Sequence, residues 1–225
     1  MEKNTRDILK NIELFRDLTD EELSRVLSIT TRHHYDRGEY VFMEGQTREA
    51  VYFVERGLIK VFKVDSEGRE HIVNILGAGQ MFPHVGLFDD SPYPGTAEIL
   101  SSASLLSVRS KPFEDLLLDN PMTMRKLMKV LGKKILQLQG KLHELAVYDT
   151  HDRVSALLRH FAEEHGQKKS DGIHLKLPVT HAEMAQMIGS SRESVNRIWN
   201  EFRRKGIVTG DKDEWIVNQD WYNHS

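Results

Sequence analysis

"HAEMAQMIGSSRESVNRIWN", residues 181–200, is the stretch on which the fold of this chain turns. Two helices joined by a tight turn over about twenty residues need a small side chain where they touch and a glycine in the turn. They also need branched apolar residues where the second helix packs on the first. Ala185, Gly189, Val195 and Ile198 meet those demands at positions 5, 9, 15 and 18 of the stretch, and Met184 and Ile188 complete the inner face. Each helix carries a start signal: Thr180 with Glu183, and Ser190 with Glu193, both fit a capping box. Downstream, "GIVTGDKDEWIVN" (206–218) predicts two short strands around a charged turn, the wing of a winged helix. An ordinary helical hairpin also needs alanine, glycine and apolar spacing. Caps, turn and wing together select the helix-turn-helix.

The face of the second helix that points away from this core carries Arg192, Glu193, Asn196, Arg197 and Arg203. Arginine pairs bidentately with guanine O6 and N7, and a glutamate accepts from cytosine N4, so the first four are the expected readers of base edges in double-stranded DNA. Arg203, Arg204 and Lys205 follow as phosphate anchors, joined by Thr180 and Ser191 at the helix starts. Solvated surface charge is the competing reading for each residue singly, and for Glu193 so is capping alone.

Upstream lies "MTMRKLMKVLGKKILQLQGKLHEL" (122–145), with apolar residues at Met124, Met128, Leu131, Ile135, Leu138, Leu142 and Leu145. Their alternating spacing of four and three is a heptad stripe, the pattern of a two-fold coiled-coil seam more than of a helix lying on its own core. Arg125, Lys126, Lys129, Lys133, Lys134 and Lys141 occupy the other face. Asn120-Pro121 opens this helix, and residues 113–119 predict a short one before it. "DRVSALLRHFAEEHG" predicts another after it, followed by a turn at "KKSDG" and a strand in "IHLKLPV".

The front of the chain reads differently. Ile8, Ile12 and Phe15 repeat at helical spacing, and Thr19 with Glu22 caps a second helix, so residues 7–32 are expected to be helical. Then "YVFMEGQ", "AVYFVERGLIKVFKVDSEGREHIVNIL" and "GTAEILSSASLLSVRS" are strands broken by glycine turns, which predict an antiparallel sandwich or barrel. The chain thus reads as α+β with boundaries at 1–120, 121–148 and 149–225.

The totals narrow the function. Net charge is −3, so a nucleic-acid site must be a local cluster. With no cysteine, disulfides, thiolate nucleophiles and cysteine-ligated iron–sulfur clusters are excluded. No apolar run approaches the ~18 residues of a membrane helix, and the polar start "MEKNTRDILKN" is unlike a signal peptide, so a cytoplasmic place is expected. An enzyme of the cupin or another β-barrel type would need clustered metal ligands or a nucleophile–base pair, and neither can be picked out. A cyclic-nucleotide module of a larger assembly would have no reason to carry a reading helix.

At "SSRESVNRIW" the chain resembles the recognition helix of the cyclic AMP receptor protein and fumarate-nitrate reduction regulator (CRP/FNR) family. The resemblance extends through "GEYVFMEGQ", "VYFVERGLIKVF", "VGLFDD", the long helix and "THAEMAQMIG". It implies a homodimeric bacterial transcription regulator: a cyclic-nucleotide-binding-like jelly roll, a dimerisation helix and a C-terminal winged helix-turn-helix. Arg192, Glu193 and Arg197 match the family's base-reading trio, which implies a palindromic operator with half-sites resembling TGTGA. Asn196 replaces a small residue. The loop matching "EEHGQKKSDG" (163–172) implies a contact with RNA polymerase.

The same resemblance raises a question about "GQMFPHVGLFDDSPYPGTAE" (79–98). Cyclic-nucleotide members hold sugar and phosphate with Gly-Glu-Leu before "GLF" and an Arg-Ser pair after it. Here those positions read Pro83, His84, Val85 and Gly95, Thr96, and the adenine-reading hydroxyl residues align with Leu138 and Gln139. Proline offers no N–H, and the carboxylate and the counter-charge are gone. The expected effector is therefore a small molecule other than cyclic AMP, an apolar or aromatic one gripped by Phe82, His84, Phe88 and Tyr93. A cyclic AMP-responsive regulator with a divergent pocket, haem or metal sensing through His84 with His33, His34 and His71 nearby, and a protein-contact surface with no ligand stay open.

Overall fold

The computed structural model describes residues 2–211 and 214–224, apart from the side chains of 2–4, 141, 144–146, 211 and 224. The heptad residue Leu145 and the wing-turn residues Lys212 and Asp213 lie outside that description. Two compact units result. Residues 73–137 form one with the chain up to Arg69, and Leu138 onward forms the other with Glu70–Ile72.

In the first unit, α1 (Glu2–Asn11) and α2 (Asp20–Ser28) precede the strands. The Thr19 capping box forms as expected: the Thr19 N–H donates to Glu22 Oε2 at 2.7 Å. Helix does not continue to residue 32, however. Ile12 and Phe15 fall in turns, still buried, and Thr30–Tyr35 is already β1, because its residues pair in register with Tyr35↔Ala103 through Thr30↔Val108. The other strands are β2 (Tyr40–Phe42), β3 (Ala50–Val64), β4 (Glu70–Leu76), β5 (Met81–Phe82) and β6 (Thr96–Arg109). They form one sheet of order β1-β6-β3-β4, with β2 added to β6 and β5 to β3. Strands β3 and β6 carry register shifts near Arg56 and Leu58, where the long ladder bends. Gly57 (φ 92°) is needed at that bend, since a Cβ there would lie 2.6 Å from Ala103 Cα.

Two apolar clusters hold this unit. One joins α1, α2, α3 (Ser110–Asp119) and the start of α4 (Pro121–Val147) to the sheet, through Phe15, Phe53, Phe113 and Leu127. The other is aromatic: Phe42 stacks on Tyr93 at 3.8 Å, and Phe82 packs against Phe42 and Tyr52.

In the second unit, α5 (Thr150–His165), α6 (His181–Ile188) and α7 (Arg192–Arg204) pack on a four-stranded sheet. Its strands are β7 (Gly166–Lys169), β8 (Gly172–Lys176), β9 (Val208–Asp211) and β10 (Glu214–Val217), in the order β7-β8-β10-β9, and α8 (Gln219–His224) follows. Phe161, Val195, Ile198, Phe202 and Val217 are buried there, and Trp199 meets Trp215 edge to face at 4.8 Å. Strands β9 and β10 are the expected wing.

Candidate nucleic-acid interface and effector loop

Helix α6 ends on Gly189 in the left-handed conformation (φ 63°), a geometry that glycine adopts at least cost. The Ser190 N–H then donates back to the Ala185 carbonyl at 3.0 Å, which spends Ser190 on closing α6. The expected Ser190–Glu193 box therefore does not form. The cap of α7 is one residue later: Ser191 Oγ accepts the Ser194 N–H at 3.2 Å. Thr180, by contrast, forms its box with Glu183 as expected. The hydroxyls of Thr180 and Ser191, anticipated as phosphate contacts, are thus engaged as caps.

This shift leaves Glu193 out of the cap. Arg192, Glu193, Asn196 and Arg197 are all exposed, on the side of α7 away from Val195, Ile198, Trp199 and Phe202. The ends of Arg192, Glu193 and Arg197 make no hydrogen bond or ion pair among the described residues. Asn196 differs, since its Oδ1 lies 3.2 Å from His181 Nδ1. His181, whose ring sits 5.4 Å from Trp199, is held below the usual histidine range, mainly by burial. The phosphate set divides as well. Arg203 straps the end of α7 to the wing by donating to the Gly210 carbonyl, and Lys205 pairs with Glu201 at 2.6 Å. Arg204 is exposed and makes no such pair among the described residues.

The expected effector-pocket residues differ in exposure. Phe82 and Tyr93 are core residues of the aromatic cluster. Tyr93 Oη donates to the Ala50 carbonyl at 3.1 Å and accepts the Ala50 N–H at 3.2 Å, which fixes the ring in place. Pro83, Gly95 and Thr96 are also buried. A Cβ on Gly95 would lie 2.9 Å from the Phe62 carbonyl, and Thr96 Oγ1 accepts the Glu44 N–H at 3.1 Å. Val85 and Phe88 point outward instead. His84 is largely buried. That burial, and secondarily the Lys134 charge, push it down to about 4, so its ring is neutral at pH 7. Leu138 and Gln139 are exposed on α4.

The histidines are dispersed: His34 Nδ1 lies 2.7 Å from Ser104 Oγ, His33 faces Tyr35, and His71 is on β4. The heptad stripe also divides. Met124 and Leu131 pack on the core of their own unit, because α4 lies along it there, while Met128, Ile135, Leu138 and Leu142 remain exposed. Exposed Leu136 was not part of the expected seam.

Two charged pairs escaped sequence reasoning. Lys60, buried on β3, reaches Glu98 on β6 at 2.8 Å, and Arg48 pairs with Glu114. Neither has a local pattern, because the partners are separated by a strand or more in the chain.

The chain matches the family model of the cyclic nucleotide-binding domain over residues 32–120, and that of the Crp-like helix-turn-helix domain over residues 152–221. It is 27% identical over 203 residues to the anaerobic regulatory protein of Bacillus subtilis (strain 168), covering 89% of this chain and 85% of that one. It is 24% identical over 202 residues to the CRP-like cAMP-activated global transcriptional regulator of Mycobacterium tuberculosis (strain CDC 1551 / Oshkosh), covering 90% of each. The structure of FixK2 from Bradyrhizobium japonicum superposes with a TM-score of 0.76 at 20% identity, covering 87% of this chain and 96% of that one. At that identity the likeness speaks for the fold alone.

Proposed function

The chain belongs to the CRP/FNR family of transcription regulators, with an effector-binding domain and a helix-turn-helix DNA-binding domain, and from that premise we propose that it acts as a homodimer on a palindromic operator with half-sites resembling TGTGA. The observation that carries this reading is the outer face of α7. Arg192, Glu193 and Arg197 stand exposed with their polar ends unpaired among the described residues, which is what bidentate reading of base edges requires. Capping by Ser191 removes the competing task from Glu193. Arg204 supplies a phosphate contact, while Arg203 and Lys205 must first leave Gly210 and Glu201.

The exposed row Met128, Ile135, Leu138 and Leu142 joins the two copies along α4, and with the two copies related by a two-fold axis the operator is palindromic. Residues 163–172, which include β7 and its turn into β8, are the surface offered to RNA polymerase.

Control comes from an effector other than cyclic AMP. A nucleotide phosphate in a partly buried site needs N–H donors and a cation. Pro83 has no N–H, His84 is neutral where a carboxylate would meet the ribose, and Gly95 and Thr96 bring no positive charge. The aromatic packing of Phe82 and Tyr93 also fills space that a ligand would take.

The test is a titration of the protein into a fluorescent TGTGA-N6-TCACA duplex and a scrambled duplex, each with and without cyclic AMP. Selective binding indifferent to the nucleotide supports both parts. Selectivity only with cyclic AMP overturns the effector part, and equal binding to both duplexes overturns the half-site.

A further inference from the structure

A buried ion pair sets the shape of the loop after β5. The Arg48 side chain, 5% exposed, lies 3.1 Å from Glu114 of α3, itself 9% exposed. Glu114 Oε1 also accepts the Phe88 N–H at 3.0 Å, and Arg48 Nη2 donates to the Asp89 carbonyl at 2.8 Å. Among the described residues, Arg48 Nε and Nη1 are buried without a hydrogen-bond partner. Removing both charges from water carries a penalty that their attraction does little more than offset, so the pair is a weak source of stability. Its effect is a fixed conformation. Phe88 is held at φ 66°, a left-handed backbone rare for an aromatic residue, and is 46% exposed beside the 57% exposed Val85. A strained, exposed ring held by a buried pair points to a partner surface.

The same unit carries the matching surface. The loop runs beside α4, since the Lys134 charge acts on His84 and Leu87 packs into the cluster that holds Met124, Leu127 and Leu131. The outer face of α4 exposes Met128 and Ile135. Between them Gly132, with nothing within 4 Å of where its Cβ would be, leaves a notch. Arg125 and Lys129 stand exposed around Met128, while Phe88 is followed by the exposed Asp89 and Asp90.

We infer that Phe88 and Val85 dock on α4 of a second copy, with the ring at the Gly132 notch and Asp90 against Lys129. The loop is then a built-in part of the subunit interface, shaped by Arg48 and Glu114 and not by a bound ligand. This rests on the homodimer reading above and extends its α4 seam.

Sedimentation equilibrium of the full chain tests it. Phe88→Ser is expected to weaken dimerisation about tenfold or more, as truncating an aromatic anchor does, with the far-UV circular dichroism unchanged. Glu114→Gln, which releases the loop, acts in the same direction. The double variant is no weaker than Phe88→Ser alone, because both act through one contact. Asp90→Lys weakens the dimer, and adding Lys129→Asp restores it. These two exposed charges keep the test decisive even where Phe88→Ser fails to fold, and absence of that rescue overturns the docking. Ile135→Asp separates this inference from the reading beneath it. If it dissolves the dimer while Phe88→Ser leaves the dissociation constant unchanged, the loop is not an interface and the α4 dimer stands. If Ile135→Asp leaves the dimer intact, the α4 seam fails and the docking with it; if the parent chain is monomeric throughout, the homodimer reading itself fails.

Discussion

Helix α7 and the loop of residues 83–96 are both surfaces on which a regulator of this kind would meet a ligand, yet they are built in opposite ways. On α7 every apolar residue faces inward, and the polar ends of Arg192, Glu193 and Arg197 are left outside without partners among the described residues. In and around the loop several polar groups are engaged internally: Thr96 by Glu44, Tyr93 by Ala50, and Glu114 of α3 by Arg48 and Phe88. What the loop leaves outside is the apolar pair Val85 and Phe88 beside the acidic pair Asp89 and Asp90. Unsatisfied donors and acceptors at a surface are suited to reading a polar ligand, and exposed rings to meeting another apolar surface. The comparison teaches that α7 turns polar ends of both signs outward, whereas the loop turns out an aromatic ring and carboxylates.

The largest effect that can test this contrast is on the support of α7. Phe202 is fully buried beneath the reading face, and Phe202→Ala is expected to cost about 3–5 kcal/mol of stability. Thermal unfolding would register it, and binding to operator and scrambled duplex would fall together. Next comes the loop. His84 is neutral in the folded chain down to about pH 4, whereas in the unfolded chain it takes a proton near 6.5. Its contribution is therefore present above pH 6.5 and lost as pH falls from 6.5 towards 4, by up to roughly 3 kcal/mol. Urea midpoints across that interval should flatten in His84→Gln. An unchanged slope would mean that the loop is open to water, and the contrast with α7 would weaken.

Arg197→Ala should remove about 1–3 kcal/mol of operator binding and relax the preference at one base pair, read by fluorescence anisotropy against single-base operator variants. Equal loss on every sequence would make it a phosphate contact. Smallest is the cap: Ser191→Ala should cost about 1 kcal/mol and Ser190→Ala much less, a difference visible in paired thermal melts.

That last pair also shows how far the sequence could be read. The helix-turn-helix, the wing and the strands were legible because their signals are local: a cap, a glycine and a spacing within twenty residues. The α7 cap was misplaced by one residue because "SSRES" offers two serines. The choice between them is made by the closure of α6 on Ala185, which is a matter of backbone geometry. The heptad stripe was visible, but the core that claims Met124 and Leu131 comes from α1, α2 and the sheet, far away in the chain. The Arg48–Glu114 pair spans 66 residues, and nothing near Arg48 announces it. The front helix was overextended because apolar spacing at Ile12 and Phe15 serves a buried turn as well as a helix.

The contact between His181 and Asn196 has a consequence for the operator itself. With one lone pair of its Oδ1 turned to the His181 Nδ1–H, the Asn196 carboxamide is held with its acceptor partly engaged and its NH₂ group free to donate outward. A carboxamide free to give and take along one edge can single out adenine, whereas one whose oxygen is already turned to a histidine discriminates less among the acceptors of the major groove, including the N7 of either purine and thymine O4. The base facing Asn196 is then expected to be degenerate. Operators selected from random duplexes should carry less information at that column than at those facing Arg192, Glu193 and Arg197. His181→Ala, by freeing the oxygen, should sharpen that column towards adenine.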